Sequence, residues 1–296
     1  MAEIVQDEAG DRSAAREGTV QQRAAYVAAR REACAERDAA RIRLAAEPGP
    51  FRIEADRGYA SIPPGPLDDL TQPIVEHGNG LIDSIGHEAL LASGAKGGFI
   101  ARGFMPPESY EAGSPYLRFA TDDRVVQTIA NYLGVVPVLT DIDIWYSAHH
   151  PKRPKSSQLW HLDHADTTQV KCWVYLSDVG PENGPLTMLD ADRSMQLADE
   201  TAYDFGERYR LPDELVPEDE IREITGPKGQ VNFTDTSRCF HMGSRVAEGA
   251  APRRAVVFQY LTPYAFKFRD HREQAKFREQ AAGAGSELER LVLGAS

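Results

Sequence analysis

The segment LWHLDHAD (159–166) places His161 and Asp163 two residues apart in a run of β-forming residues. Period two along a strand turns both side chains to one face, which is how a strand delivers adjacent ligands to one metal ion. Taken alone the pair is weak, because a chain of this composition contains about 0.6 such H-x-D pairs by chance. His241, on a later β-type run, changes the balance. Two neutral imidazoles and one carboxylate form the facial set of non-haem Fe(II) oxygenases and leave three coordination positions for a co-substrate and O2. After His241 comes PRRAVVFQYL (252–261), an arginine pair heading an apolar strand. A guanidinium inside a barrel needs a carboxylate that meets it bidentately, and the distal carboxylate of 2-oxoglutarate is such a group. Arg253 shares a face with Ala255, Val257 and Gln259, and Arg254 shares the other with Val256, Phe258 and Tyr260. Arg253 is therefore the expected co-substrate contact, with surface ion pairs for both arginines as the alternative.

Lys171 falls on one face with Trp173 and Tyr175 in an apolar run, where a buried ammonium needs an anion. A carboxylate of 2-oxoglutarate or of the substrate would serve; an edge-strand lysine reaching to water is the alternative. Gln158 and Trp173 join it as candidates for the co-substrate pocket. Tyr146 and Trp160 could line the pocket or pack in the core. His164 is out of phase with His161 and Asp163 and should face away, while His149 and His150 precede the basic PKRPK stretch and read as an exposed loop end. Cys172 and Cys239 read as small buried hydrophobes.

These residues need a β scaffold, and from residue 137 onward the text supplies one. Short β-type runs cover 137–148, 157–165, 168–179, 184–190, 222–235, 239–246 and 252–263, separated by turns such as GPENG (180–184) and GPKG (226–229). Strands at this spacing argue for a sandwich or barrel. Helical text occupies 81–93 and 122–134, and a closing helix is expected over 270–293. Residues 13–46 lack proline, are dense in Ala, Arg and Glu, and run into the breaker EPGP, which predicts one long helix. Its arginines, offset by Glu17, Glu32, Glu36 and Asp38, read as a solvated face. The expected division is a helical extension over 1–48 and a β domain over 49–296. Residues 194–221 interrupt the strand series with charge and prolines, and are expected to pack loosely as a substrate lid.

Composition narrows the function further. With 296 residues, 42% of them hydrophobic, and a mean hydropathy of -0.44, the chain reads as globular and not as a membrane protein. A net charge of -12 repels polyanions, so nucleic acid is not an expected partner. The acidic start of the chain (Glu3, Asp7, Glu8, Asp11) is unlike a basic leader, and three scattered cysteines fit a reducing compartment; a cytoplasmic protein is expected. No Cys-x-x-Cys pairing offers a thiolate zinc site, which leaves His and carboxylate for any metal.

The string SSQLWHLDHADTTQVKCWVYLSDVGPENGPLTML, followed by GPKGQVNFTDTSRCFHMGSRV and PRRAVVFQYLTP, resembles the phytanoyl-CoA dioxygenase family of Fe(II)/2-oxoglutarate oxygenases over roughly residues 98–265. The resemblance implies a mainly β fold with flanking helices, a double-stranded β-helix (jelly roll, cupin-like). It implies iron at the positions matching His161, Asp163 and His241, and 2-oxoglutarate at Arg253. It also implies oxidation, by default hydroxylation, of a small organic molecule. Where many members carry Pro-Gly-Ser-His, this chain has Leu189-Asp190-Ala191-Asp192-Arg193-Ser194, so a substrate-side wall should differ. The rival from another class is a non-catalytic cupin-like metal-binding or sensing module, which would need the three ligands but not the arginine.

Overall fold

The computed structural model describes residues 17–92, 98–206, 210–266 and 272–295. Its strands, numbered in chain order, are β1 (Tyr59–Ile62), β2 (Ile100–Ala101), β3 (Val138–Ser147), β4 (Gln169–Tyr175), β5 (Leu186–Met188), β6 (Arg222–Ile224), β7 (Val231–Thr234), β8 (His241–Met242) and β9 (Arg253–Leu261). They form a six-stranded sheet in the order β1-β7-β4-β9-β3-β2 and a three-stranded sheet in the order β6-β5-β8, with every pairing antiparallel.

Alternation along the long strands separates two cores. Ile142 and Ile144 of β3, Cys172 and Val174 of β4, and Val256 and Phe258 of β9 pack outward against helices. Those helices include α3 (Asp68–Ile85), α4 (His87–Ala92), α5 (Pro115–Thr121) and α6 (Asp123–Leu133), which follow α1 (Val20–Ala33) and α2 (Ala39–Ala45). Trp145, Trp173, Tyr175, Ala255 and Val257 point the other way and meet Leu186, Met188 and Ile224 of the smaller sheet. Two antiparallel sheets closed over a shared interior, with helices on the outside of the larger one, make the expected jelly roll. The long strands β3, β4 and β9 are buried on both faces, which is why they read as largely apolar runs; Asp143, Gln169, Lys171 and Arg253 face the interior, and Arg254 faces the helices.

Several elements differ from the sequence expectation. The run at 157–165 contributes no named strand; only Trp160 and His161 make bridges, to Leu211 and His241. A turn at Ser156–Gln158, begun at a positive φ of 55° at Ser156, brings the chain in too steeply for a longer ladder. Residues 222–235 split into β6 and β7, which belong to different sheets, at the turn ending in Gly229 with φ 88°. The strands β1 and β2 come from text that carries no strand signal, being too short for alternation to register. The closing helix is two helices, α8 (Arg272–Gln280) and α9 (Glu287–Val292), and Ser286 caps the second by accepting from the Glu289 amide at 3.0 Å. Residues 270 and 271 of that expectation lie outside the described residues.

The helix expected over 13–46 is α1 and α2 with a turn between them; residues 13–16 lie outside the described residues. Thr19 and Gln22 form a reciprocal capping box at the start of α1. The turn after Ala33 lets α2 aim Arg41 inward, and here the solvated-face expectation fails. Arg41 is buried and donates to the carbonyls of Val136 (3.1 Å), Leu291 (2.9 Å) and Ala295 (2.7 Å). Arg23 is also buried, its guanidinium 4.0 Å from the Phe205 ring centroid and 4.3 Å from that of Phe266, and it donates to the His164 carbonyl at 3.1 Å. Both arginines donate to backbone carbonyls that lie outside the strands.

The stretch expected as a loose lid begins with α7 (Ala191–Glu200), which buries Ser194, Leu197 and Ala198. Residues 207–209 lie outside the described residues. Beyond them Leu211 pairs with Trp160, and Asp213 accepts two hydrogen bonds from Arg245 at 2.8 and 2.9 Å. Of this stretch, the helical part and Leu211 are packed into the fold, while residues 212–215, 218 and 219 are exposed.

Replacing Arg41 by Leu removes the side-chain donor from the carbonyls of Val136, Leu291 and Ala295, of which Leu291 keeps the Gly294 amide at 2.9 Å. The variant is expected to lose about 2–4 kcal/mol of stability, since hydrogen bonds to charged groups contribute ~1.5–3 kcal/mol each and only part is recovered by relaxation. Urea unfolding of both proteins measures it, and a loss below about 0.5 kcal/mol would contradict the role.

Candidate metal centre

His161 and His241 sit opposite each other as an antiparallel pair. The amide of each donates to the carbonyl of the other at 3.0 Å, and the ring centroids are 4.2 Å apart. The Nδ1 atom of His161 is 2.8 Å from the Leu159 carbonyl, and that of His241 is 3.0 Å from the Cys239 carbonyl. A carbonyl only accepts, so both Nδ1 atoms carry the proton and both Nε2 atoms present lone pairs. Asp163 completes the group, with Oδ1 3.8 Å from the His161 Nε2 and Oδ2 3.9 Å from the His241 Nε2. One donor atom from each of the three lies within 4.8 Å of the others.

The surroundings hold each member in place. The Asp163 amide donates to the Thr236 carbonyl at 2.7 Å, and the Ser237 hydroxyl donates to the Asp163 carbonyl at 3.2 Å. The connection from β7 to β8 is organised by the buried Asp235 carboxylate, which accepts from the amides of Ser237 (3.0 Å) and Arg238 (3.1 Å) and from the Tyr132 hydroxyl (2.8 Å). On the other side Ser194 of α7 accepts from the Phe240 amide at 2.8 Å, and the Tyr203 hydroxyl accepts from the Leu162 amide at 3.2 Å. The stretch expected as a lid thus props both ligand-bearing segments from behind.

Electrostatics favours ligand-ready protonation states. Burial, with the neighbouring histidine, drives the His161 imidazole well below its ordinary value, and burial pushes His241 down to about 4. Both rings are neutral at physiological pH. Burial opposes ionisation of Asp163, but Lys171 together with His241 and His161 outweighs it and holds the carboxyl well below the usual range. The Lys171 ammonium is 2.6 Å from Asp163 Oδ2, and the Gln169 amide donates to the same oxygen at 3.0 Å.

The three residues open into a pocket walled by Trp145, Trp173, Lys171 and Arg253. Arg253 is 2% exposed and donates from Nη2 to the Ser244 hydroxyl at 2.9 Å, while its Nε has no partner. Among the described residues no carboxylate pairs with it, and burial pulls its pKa down. Its guanidinium carbon lies 5.9 Å from the Trp173 ring centroid. Ser244 holds a positive φ of 63°, strained for a serine, and shares a 2.9 Å hydrogen bond with Ser147. Arg254, on the opposite face, donates to Asp83 at 2.8 Å and Asn79 at 3.0 Å of α3.

Six sequence candidates therefore converge on one pocket: His161, Asp163, His241, Arg253, Lys171 and Trp173. Gln158 is not among the lining residues; it stands beside the pocket and donates to the Ser244 carbonyl at 2.9 Å. Trp160 packs with Leu162, Tyr203 and Phe240 behind the ligands, and Tyr146 lies in the outer core with its hydroxyl 2.6 Å from the His87 ring nitrogen. His164 is exposed, whereas His149 and His150 are half-buried rather than an exposed loop end, and the His149 ring contacts the Val246 carbonyl at 3.0 Å. Cys172 and Cys239 are buried, as expected. Trp145 and Ser244 are additional pocket residues. The period-two register of PVLTDIDIWYSA carries the signal for Trp145; none exists for Ser244, whose place depends on a strained turn.

No protein-family model matches the chain, and no curated protein does. Among solved structures, the chain is similar to the non-heme alpha ketoglutarate dependent epimerase SnoN from nogalamycin biosynthesis, with 20% identity and a TM-score of 0.50 over 78% of this chain and 84% of that one. EctD from S. alaskensis in its apoform matches with 19% identity and a TM-score of 0.49 over 73% and 80% of the two chains. The alpha ketoglutarate dependent carbocyclase SnoK matches with 14% identity and a TM-score of 0.47 over 75% and 83%. At these identities the likeness to SnoN speaks for the fold, which is the jelly roll described above.

Proposed function

We propose that the protein is an Fe(II)/2-oxoglutarate-dependent oxygenase that oxidises, by default hydroxylates, an unactivated C–H bond of a small organic molecule. The observation that carries this reading is the buried, carboxylate-free guanidinium of Arg253 in the same pocket as His161, Asp163 and His241. A buried cation without an anion is costly unless a ligand supplies one. A non-catalytic metal-binding module would need the three ligands but would gain nothing from such an arginine. Two Nε2 lone pairs and one carboxylate suit Fe(II), which retains open positions. When bound, iron and 2-oxoglutarate supply with O2 the oxidation of a C–H bond, with release of succinate and CO2.

The chain's own residues divide the work. His161, Asp163 and His241 hold the metal, and Arg253 pairs with the distal carboxylate and so fixes the direction in which 2-oxoglutarate lies. Trp173, whose indole nitrogen donates to Thr234 at 3.0 Å, and Trp145, 5.3 Å from it in an edge-on arrangement, form a rigid apolar wall that keeps water from the reacting centre. Gln158 acts on the pocket through Ser244. The motif order H-x-D, asparagine-glycine turn, distal histidine and trailing arginine places the chain beside the phytanoyl-CoA dioxygenase family. We take the division to be a helical extension over 1–48, whose described residues dock through Arg23 and Arg41, and an oxygenase domain over 49–296. Three free cysteines favour a cytoplasmic setting, and among the described residues no helix is long and apolar enough to cross a membrane.

Anaerobic addition of Fe(II) and 2-oxoglutarate should produce a weak visible charge-transfer band, and substrate panels scored by succinate release should find the true substrate. His161→Ala, Asp163→Ala and His241→Ala should each lose the band with the fold retained by circular dichroism; a wild-type protein that binds iron without the band would refute the oxygenase reading.

The two arginines give a second expectation. Arg253→Ala should weaken 2-oxoglutarate binding by about 2–5 kcal/mol, because it leaves a buried carboxylate unpaired. Arg254→Ala, which removes contacts to Asp83 and Asn79 on the face away from the pocket, should change it by less than about 0.5 kcal/mol. Isothermal titration of 2-oxoglutarate into the two metal-loaded variants decides the ranking, and the reverse order would rule out the pocket role of Arg253.

A further inference from the structure

We infer that Lys171 is a positioning residue for Asp163, holding that carboxylate to a single-oxygen contact with the metal; the inference rests on the metal-centre reading above. The sequence left two roles for this lysine, a contact to a co-substrate or substrate carboxylate and an edge-strand lysine in water. The structure supports neither as its main role. β4 lies inside the larger sheet between β7 and β9, where Lys171 is opposite Thr234 on one side and Gln259 on the other. Its side chain is 11% exposed, and its ammonium already has an anion, Asp163 Oδ2 at 2.6 Å.

The arrangement around Asp163 is asymmetric. Oδ2 accepts from both the Lys171 ammonium and the Gln169 amide, and that amide is itself fixed by donating to the Thr236 hydroxyl at 2.7 Å. Oδ1 accepts no hydrogen bond from the described residues and lies 3.8 Å from the Nε2 of His161. Its lone pairs are the ones left for a cation. For Oδ2 to swing onto the metal as well, the carboxylate would have to give up two hydrogen bonds, one of them charge-assisted. Lys171 thus keeps Asp163 from occupying a second position that the co-substrate needs. The Trp145 ring, whose centroid is 5.7 Å from the ammonium, limits where the lysine can go.

Lys171→Met keeps the length and apolar stem of the side chain and removes the charge. Titration with Mn(II), followed by the loss of its free-ion electron paramagnetic resonance signal, reads metal affinity without turnover. Lys171→Met should bind Mn(II) 10- to 100-fold more weakly than wild type, the usual effect of removing a partner that orients a ligand. Lys171→Arg, which restores a cationic donor, should recover most of the loss. In the anaerobic Fe(II) and 2-oxoglutarate complex, Lys171→Met should also shift or weaken the visible band. If melting shows Lys171→Met to be unfolded, Lys171→Arg with Gln169→Leu carries the test, and Gln169→Leu alone should weaken Mn(II) several-fold. Mn(II) affinity within twofold of wild type in folded Lys171→Met would overturn the inference. A wild-type protein that binds Mn(II) but gives no band would refute the oxygenase reading, while the metal titrations still decide the role of Lys171.

Discussion

Two backbone hydrogen bonds, His161 amide to His241 carbonyl and the reverse, are the interaction on which the site depends. They join segments far apart in sequence at the one point where both carry an imidazole. The side chains of a directly opposed antiparallel pair lie on the same face, so the pairing delivers both rings to one side of the fold. The local carbonyls of Leu159 and Cys239 then fix which nitrogen of each ring is presented. A slip of one residue in this register would send one ring to the opposite face, into the space held by Trp160 and Phe240.

So short a ladder needs support, and the structure supplies it from outside the sheets. Asp235 ties the turn preceding β8 to the Tyr132 hydroxyl, Ser194 of α7 receives the Phe240 amide, and Tyr203 receives the Leu162 amide. Arg23, held between two phenylalanine rings, secures the His164 carbonyl just beyond the metal-facing aspartate. Elements that look peripheral in the sequence, α1 and α7, therefore bear on the ligand geometry. This agrees with the general finding that a functional constellation is only as well placed as the residues behind it.

Arginine plays three physically different parts in this fold. Arg41 and Arg23 act as multi-donor plugs for backbone carbonyls, a use that suits a planar group with several fixed N–H bonds. Arg254 makes an ordinary surface ion pair with Asp83. Among the described residues, Arg253 is buried in the pocket with a serine hydroxyl to donate to and no carboxylate beside it, and the proposed co-substrate role rests on that difference in company. Adjacent in sequence, Arg253 and Arg254 differ in role because β9 is buried on both faces and sends them to opposite sides.

The sequence by itself determined the side-chain faces of β4 and β9, the H-x-D pair, the distal histidine and the choice of Arg253 over Arg254, because period-two alternation and residue chemistry are local properties. It also carried a sandwich or barrel, through the number and spacing of short apolar runs, with the jelly roll entering as what the family resemblance implies. Only the tertiary structure decided the rest. The 13–46 helix is interrupted and its second part turns Arg41 toward carbonyls just before β3 and near residue 291, while the strand expected at 157–165 dwindles to two bridges. Residues 191–200 are helical because Ser194, Leu197 and Ala198 have a core to enter. Lys171 meets Asp163 rather than open water because β4 is an interior strand, and strand order is a property of the whole fold. Each of these outcomes turns on a contact between residues distant in the chain, where burial and the need to pair every polar group outweigh local preference.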